Sequence, residues 1–252
     1  MIQKLSVLVL LLTWLVLAVG CSASSSSSSP EGEAGAYALS DSVKVNNVTY
    51  LSTNYGDEDY WPPTSAGIQN VKGRPLGEQD LGEKYAEVRS ETDGNRTSDG
   101  RPGNAPATSH APGTRVYKVE GYSPFFRLAV RDGKQLVLYE PVQNPRAKKG
   151  SDFLDINDKV SYIGLTFQRE GAKEITLARE PQKVRSLIQG LMEAPLERRE
   201  SDYFYKPANG ALVIFHLRDG TAVVREYRSD SGLLSPGIKA PKNFQVAVEQ
   251  VL

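Results

Sequence analysis

The only cysteine among the 252 residues, Cys21, stands directly behind the apolar run Leu5 to Val19, which only Ser6 and Thr13 interrupt. That placement divides the chain before any fold is considered. A single cysteine allows no intramolecular disulfide, so whatever folds downstream must hold by core packing alone. The run is about 15 residues long, short of the roughly 20 that a spanning helix needs. With Lys4 ahead of it and the small residues Ala18 and Gly20 at its end, it has the basic, apolar and cleavage regions of a signal segment. The segment is therefore expected to be removed. Ser22 to Ser29 is serine apart from Ala23, and Pro30 to Ala36 is glycine, alanine and glutamate after the proline. Residues 21–42 thus carry too little apolar surface to bury and are expected to form a disordered tether with a reach of roughly 25 Å.

Leu15-Val16-Leu17-Ala18-Val19-Gly20-Cys21 resembles the lipobox of bacterial lipoproteins. In that family a peptidase cuts before the cysteine and the sulfur carries a diacylglyceryl group. The resemblance implies lipidation at Cys21 and a mature chain that is held on a membrane through that anchor, on its extracytoplasmic face. Acyl chains bind by burying CH₂ groups worth about 0.8 kcal/mol each, and two chains anchor stably where one is marginal. Ser22 follows the cysteine. By analogy with lipoprotein sorting, a residue there other than Asp permits export to the outer membrane of a cell that has one. In a Gram-positive cell the protein stays on the outer face of the cytoplasmic membrane.

Charge excludes one class of partner. Lys and Arg number 30 and so do Asp and Glu, and loss of Lys4 with the signal leaves one more acid than base. The densest positive runs, Arg146 with Lys148-Lys149 and Arg198-Arg199, are too small to follow a polyanion, so nucleic acid is not expected as a partner.

Beyond the tether the apolar residues alternate over short runs. Val43 to Leu51 reads as a hairpin turning at Asn46-Asn47, residues that tolerate the left-handed conformation. Further strands are expected at Glu83 to Arg89 and Arg115 to Val119, and a second hairpin at Arg127 to Val130 and Gln135 to Tyr139, turning through Arg131 to Lys134. Ser90 to Gly113 is nearly devoid of large apolar residues and is expected to be a mobile loop. Val45 to Tyr50, Leu81 to Val88, Pro112 to Pro124 and Leu128 to Val130 resemble a small β-rich module of uncharacterised Gram-positive surface lipoproteins. That resemblance implies no activity, and it favours the Gram-positive setting.

Pro141 to Gly150 reads as a linker, after which the pattern changes. Val160 to Gln168 and Glu174 to Ala178 are expected strands. Val184, Leu187, Ile188 and Leu191 recur at helical spacing, placing a helix from Pro181 to Ala194. Ala211 to Leu217 and Thr221 to Tyr227 make a hairpin over Arg218-Asp219-Gly220, and Asn243 is expected to cap a helix facing inward through Phe244, Val248 and Val251. The fold class is α+β: a small β-rich domain over 43–145 with the loop 90–113, then a ββαββα-like antiparallel sheet domain over 151–252 with helices on one face. The second domain is expected to fold by itself, with the helix as its keystone.

Chemistry-bearing residues are sparse. His110 lies in the expected loop, and His216 shares a strand face with Leu212 and Ile214, which reads as structural. No metal site, cofactor or nucleophile–base pair can be assembled from them. Asp155-Ile156-Asn157-Asp158 and Asp93 to Gly100 offer oxygen ligands but lack the alternation and terminal glutamate of a calcium loop. Asp57 and Asp59 lie beside Tyr60 and Trp61, acids with aromatics of the kind a glycan site uses, and these four are the candidate ligand contacts. The expectation is a non-enzymatic envelope protein that contacts another protein; the alternative is a carbohydrate or peptidoglycan binder contacting cell-wall glycan, with a carboxylate hydrolase behind it.

Overall fold

Asn46 and Asn47 take φ of 51° and 65°, and Val45 pairs with Val48 across them. Two consecutive left-handed residues make the two-residue turn whose twist matches that of paired strands, which is why asparagines stand there. The computed structural model describes residues 42–53, 73–88, 110–167, 173–197 and 211–252, all within one compact unit, Ala36–Leu252. Cys21, the signal, most of the tether and the residues Asp57, Asp59, Tyr60 and Trp61 lie outside the described residues, as does most of the loop expected over 90–113.

The fold is α+β, with two antiparallel sheets of six strands and two α-helices. The first sheet has β1 (Ser42–Val45), β2 (Val48–Ser52), β3 (Leu81–Glu87), β4 (Arg115–Val119), β5 (Leu128–Asp132) and β6 (Gln135–Gln143). Their spatial order is β1-β2-β6-β5-β4-β3. Val43, Val48, Tyr50, Val116, Leu128, Val130 and Tyr139 form one buried cluster, with Tyr85 and Ala86 of the opposite edge packed on it. Asn46, in the β1–β2 turn, donates from Nδ2 to the Tyr85 hydroxyl of β3 at 3.0 Å, a side-chain bond between the two ends of the strand order. The Tyr50 hydroxyl donates to Pro124 O at 3.0 Å, and burial pushes its pKa well above the ordinary tyrosine value.

Two expectations for this half are corrected. β3 begins at Leu81 rather than Glu83, because its pairing with β4 shifts register twice and breaks the alternation by which a strand is recognised. The stretch read as a linker from Pro141 is strand as far as Gln143, since β6 continues along β2. Pro141 has no N–H to give the ladder, and it is tolerated because it faces Tyr50 at a register shift.

The second sheet has β7 (Val160–Phe167), β8 (Ile175–Ala178), β9 (Ala211–Leu217), β10 (Ala222–Arg228), β11 (Leu233–Leu234) and β12 (Ile238–Lys239), in the order β12-β11-β10-β9-β7-β8. The two-residue strands are too short to leave a period in the sequence. Gly220 takes φ of 88° in the β9–β10 turn, as its glycine predicts. Helix α1 (Pro181–Glu193) buries Val184, Leu187, Ile188 and Leu191, the four residues of the apolar stripe. Glu180 caps it, accepting from the backbone N–H of Gln182 at 2.9 Å and Lys183 at 2.7 Å, and these bonds hold its carboxyl below the usual range. Helix α2 (Lys242–Glu249) starts after Pro241, so Asn243 lies inside the helix instead of capping it; its Oδ1 accepts from Phe244 N. Phe244 and Val248 are buried there together with Ala247, and Val251 packs partly against the same core.

Both helices share that core with Ile163, Leu165, Val213, Phe215 and Val223 of the sheet. Leu212, Ile214, Ala222 and Val224 form a separate cluster on the other face. The chain passes so close to the end of α1 at Gly150 that a Cβ there would stand 1.9 Å from Leu191 O, which only glycine avoids.

The sheets are joined by charged and by aromatic side chains. Phe126, in the connection between β4 and β5, enters the helix-side core of the second sheet. Beside it Arg127, fully buried, donates from Nε and Nη2 to Glu140 Oε1 at 3.2 and 3.1 Å, from Nη1 to Thr221 Oγ1 at 2.7 Å and from Nη2 to Ala222 O at 2.6 Å. Arg225 Nη1 reaches the other oxygen of Glu140 at 2.6 Å. At the rim Tyr122 donates to Asp219 Oδ2 at 2.7 Å, Ser123 N to Asp155 Oδ2 at 2.7 Å, and Arg74 Nε to Asp219 O at 2.6 Å. Burial opposes ionisation of Asp219, but hydrogen bonds from Tyr122 and from the N–H and hydroxyl of Thr221 outweigh it and lower the pKa.

Candidate functional site

Outside the joint between the sheets, His216 brings together Tyr162, Glu174 and Ser161, with Arg179 against the Tyr162 ring. It stands on β9 opposite Tyr162 of β7, and the two rings stack with centroids 4.0 Å apart and 11° between planes. Its Nε2 lies 2.9 Å from Glu174 Oε1, just ahead of β8. The Arg179 guanidinium lies 4.7 Å from the centre of the Tyr162 ring, and Ser161 donates its hydroxyl to His216 O at 2.8 Å. Burial raises the pKa of Tyr162, and the Glu174 charge adds to that.

Local sequence explains how this is possible. Glu174 reaches inward over Gly164, where a Cβ would come within 2.1 Å of Glu174 Oε1. The glycine in the middle of β7 is the gap through which the carboxylate crosses to the imidazole. His216 itself is buried to 5 % exposure on the face of Leu212 and Ile214, the structural placement its neighbours suggest. Its partner could not be found from sequence spacing, because 42 residues separate Glu174 from it.

Chemically the arrangement holds an imidazole still. One ring face is covered by Tyr162 and Nε2 is engaged by a carboxylate, so this His–Glu pair ties β8 to β9 across β7. The neighbouring Ser161 hydroxyl is committed to the His216 backbone carbonyl rather than to the ring. Replacing Gly164 by Ala is expected to push the carboxylate off His216 at a cost of about 1 to 3 kcal/mol, the usual consequence of stripping a buried polar group of its partner. The check is the His216 imidazole nitrogen resonances, which should move in Gly164→Ala and in Glu174→Ala alike; unmoved resonances in the glycine variant would contradict the close approach.

The other candidates separate. His110 Nε2 lies 2.5 Å from the Tyr139 hydroxyl, on the first sheet. Asp155 is spent on Ser123 N and on Lys159 at 2.7 Å, and Asp158 faces Arg185 at 3.6 Å, so each carboxylate of the 155–158 run already has a protein partner. Among the described residues no group of three or more His, Cys, Asp and Glu is placed to hold a metal ion. Nor, among them, is any helix long and apolar enough to cross a membrane. The chain matches no family model, no curated protein and no solved structure.

Proposed function

We propose that this chain is a lipid-anchored cell-envelope protein, held at the extracytoplasmic face by acyl chains on Cys21. Its folded part works by contact with an envelope component or another protein rather than by turnover. The observation that carries the reading is Ala18-Val19-Gly20-Cys21, with the chain's lone thiol placed directly after the apolar run and ahead of a serine tether. Two β-containing domains, 43–145 and 151–252, fit the way each sheet draws its strands from one continuous stretch, β1 to β6 and then β7 to β12. The buried ionic joint between the sheets would hold them together as one folded unit. Asp57 and Asp59 beside Tyr60 and Trp61 favour a carbohydrate or peptidoglycan contact as the second reading.

Cys21→Ala tests the anchor. In a bacterium that processes lipoproteins, metabolic labelling with an acyl probe should mark the wild-type chain and leave the variant unmarked, and the variant should shift to the soluble fraction. Labelling that survives the substitution would overturn the proposal.

A further inference from the structure

Two guanidinium groups share one carboxylate in the joint between the sheets, and they are not equally served. Arg127 has all three of its nitrogens engaged. Arg225, only 7 % exposed, spends Nη1 on Glu140 Oε2 at 2.6 Å and on Val224 O at 2.8 Å, while its Nε and Nη2, shielded from solvent, have no hydrogen-bond partner among the described residues. A planar guanidinium sends its N–H groups out in a fixed fork, and the Nε–H and one Nη2–H run parallel along one edge. That edge is matched by two oxygens of a carboxylate or phosphate. Arg127 shows how it is used in this protein, since its own Nε and Nη2 both close on Glu140 Oε1.

Charge and strand geometry point the same way. Glu140 is shared by the two arginines, and Arg127 is also joined to Asp219 through the Thr221 hydroxyl. Among the described residues Arg225 is paired with Glu140 alone, in surroundings where an under-compensated charge is disfavoured. Tyr227, two residues on and on the same face of β10, is 1 % exposed and its hydroxyl also has no partner among the described residues. Buried polar groups are nearly always hydrogen-bonded, so orphan donors at Arg225 and Tyr227 on one strand face are a departure that calls for a ligand.

We infer that the Nε/Nη2 edge of Arg225 is a binding site for a small oxyanion, a carboxylate or a phosphate, that completes the ionic joint between the two sheets. The test uses the full chain in detergent, labelled with nitrogen-15, with the Arg225 Nε–H signal assigned through its backbone. Inorganic phosphate and acetate are titrated separately at an ionic strength held constant with chloride. The Arg225 signal should shift saturably with at least one probe, and which one responds separates a phosphate ligand from a carboxylate. Arg225→Lys keeps a positive charge for Glu140 but has no second parallel donor, so binding measured by calorimetry should weaken about tenfold or more. Should that variant fail to fold, the wild-type titration decides alone. No saturable shift with either probe beyond what chloride produces, or equal binding by a folded Arg225→Lys variant, would overturn the site.

Discussion

Replacing Glu140 by Gln is expected to lower the stability of the protein by about 3 to 5 kcal/mol, the usual result of removing one partner from a buried ion pair. Glutamine keeps the volume and an acceptor oxygen, so the loss is one of charge. Arg127 and Arg225 would then face each other across a neutral side chain, with Arg127 fully buried. For a domain stable by about 5 to 15 kcal/mol, that is a large share of the total. The exposed pair of Glu78 with Arg131 is the control: its two hydrogen bonds, 2.6 and 2.7 Å, are as short, but solvent screens them and Glu78→Gln should leave the denaturant midpoint unchanged. Urea unfolding of the two variants distinguishes the cases. A midpoint for Glu140→Gln equal to the wild-type value would mean that the sheets are not held by this cluster.

Truncating Leu187 to Ala is expected to cost about 2 to 5 kcal/mol, the range for deleting a buried leucine from a packed core. Leu187 sits at 3 % exposure on the face of α1 that meets Val213, Phe215 and Val223. Gln189, two positions on, points to solvent, and its replacement by Ala should stay within about 0.5 kcal/mol of wild type. Thermal unfolding of both variants checks the orientation of the helix. Equal tolerance at the two positions would contradict the packing.

The Leu187 and Glu140 sites differ in how plainly the sequence marks them. The Leu187 face is readable from spacing alone, because Val184, Leu187, Ile188 and Leu191 obey the helical period and Pro181 and Pro195 bound it. The asparagine and glycine turns are equally local, since the residue types name the backbone conformation. Glu140 and Arg225 carry no such mark: they sit 85 residues apart on strands of different sheets, and in sequence each reads as one more solvated charge. Pro141 reads as a strand breaker, and only the register shift on β2 shows why it is not one. Gly164 and His216 are a similar case. A glycine in a strand signals that something approaches closely, but not that Glu174 is what approaches. Residues 57–61 and Cys21 remain what their local chemistry makes them, because they lie outside the described residues.

The central functional claim turns on one atom, the Cys21 sulfur, and intact mass spectrometry of the membrane-extracted protein reads it most directly. The mature chain should begin at Cys21, without the mass of residues 1–20 and with the added mass of a diacylglyceryl group, and treatment with a base that cleaves acyl esters should remove its fatty acids. A chain that retains Met1, or that begins elsewhere with Cys21 unmodified, would contradict the account.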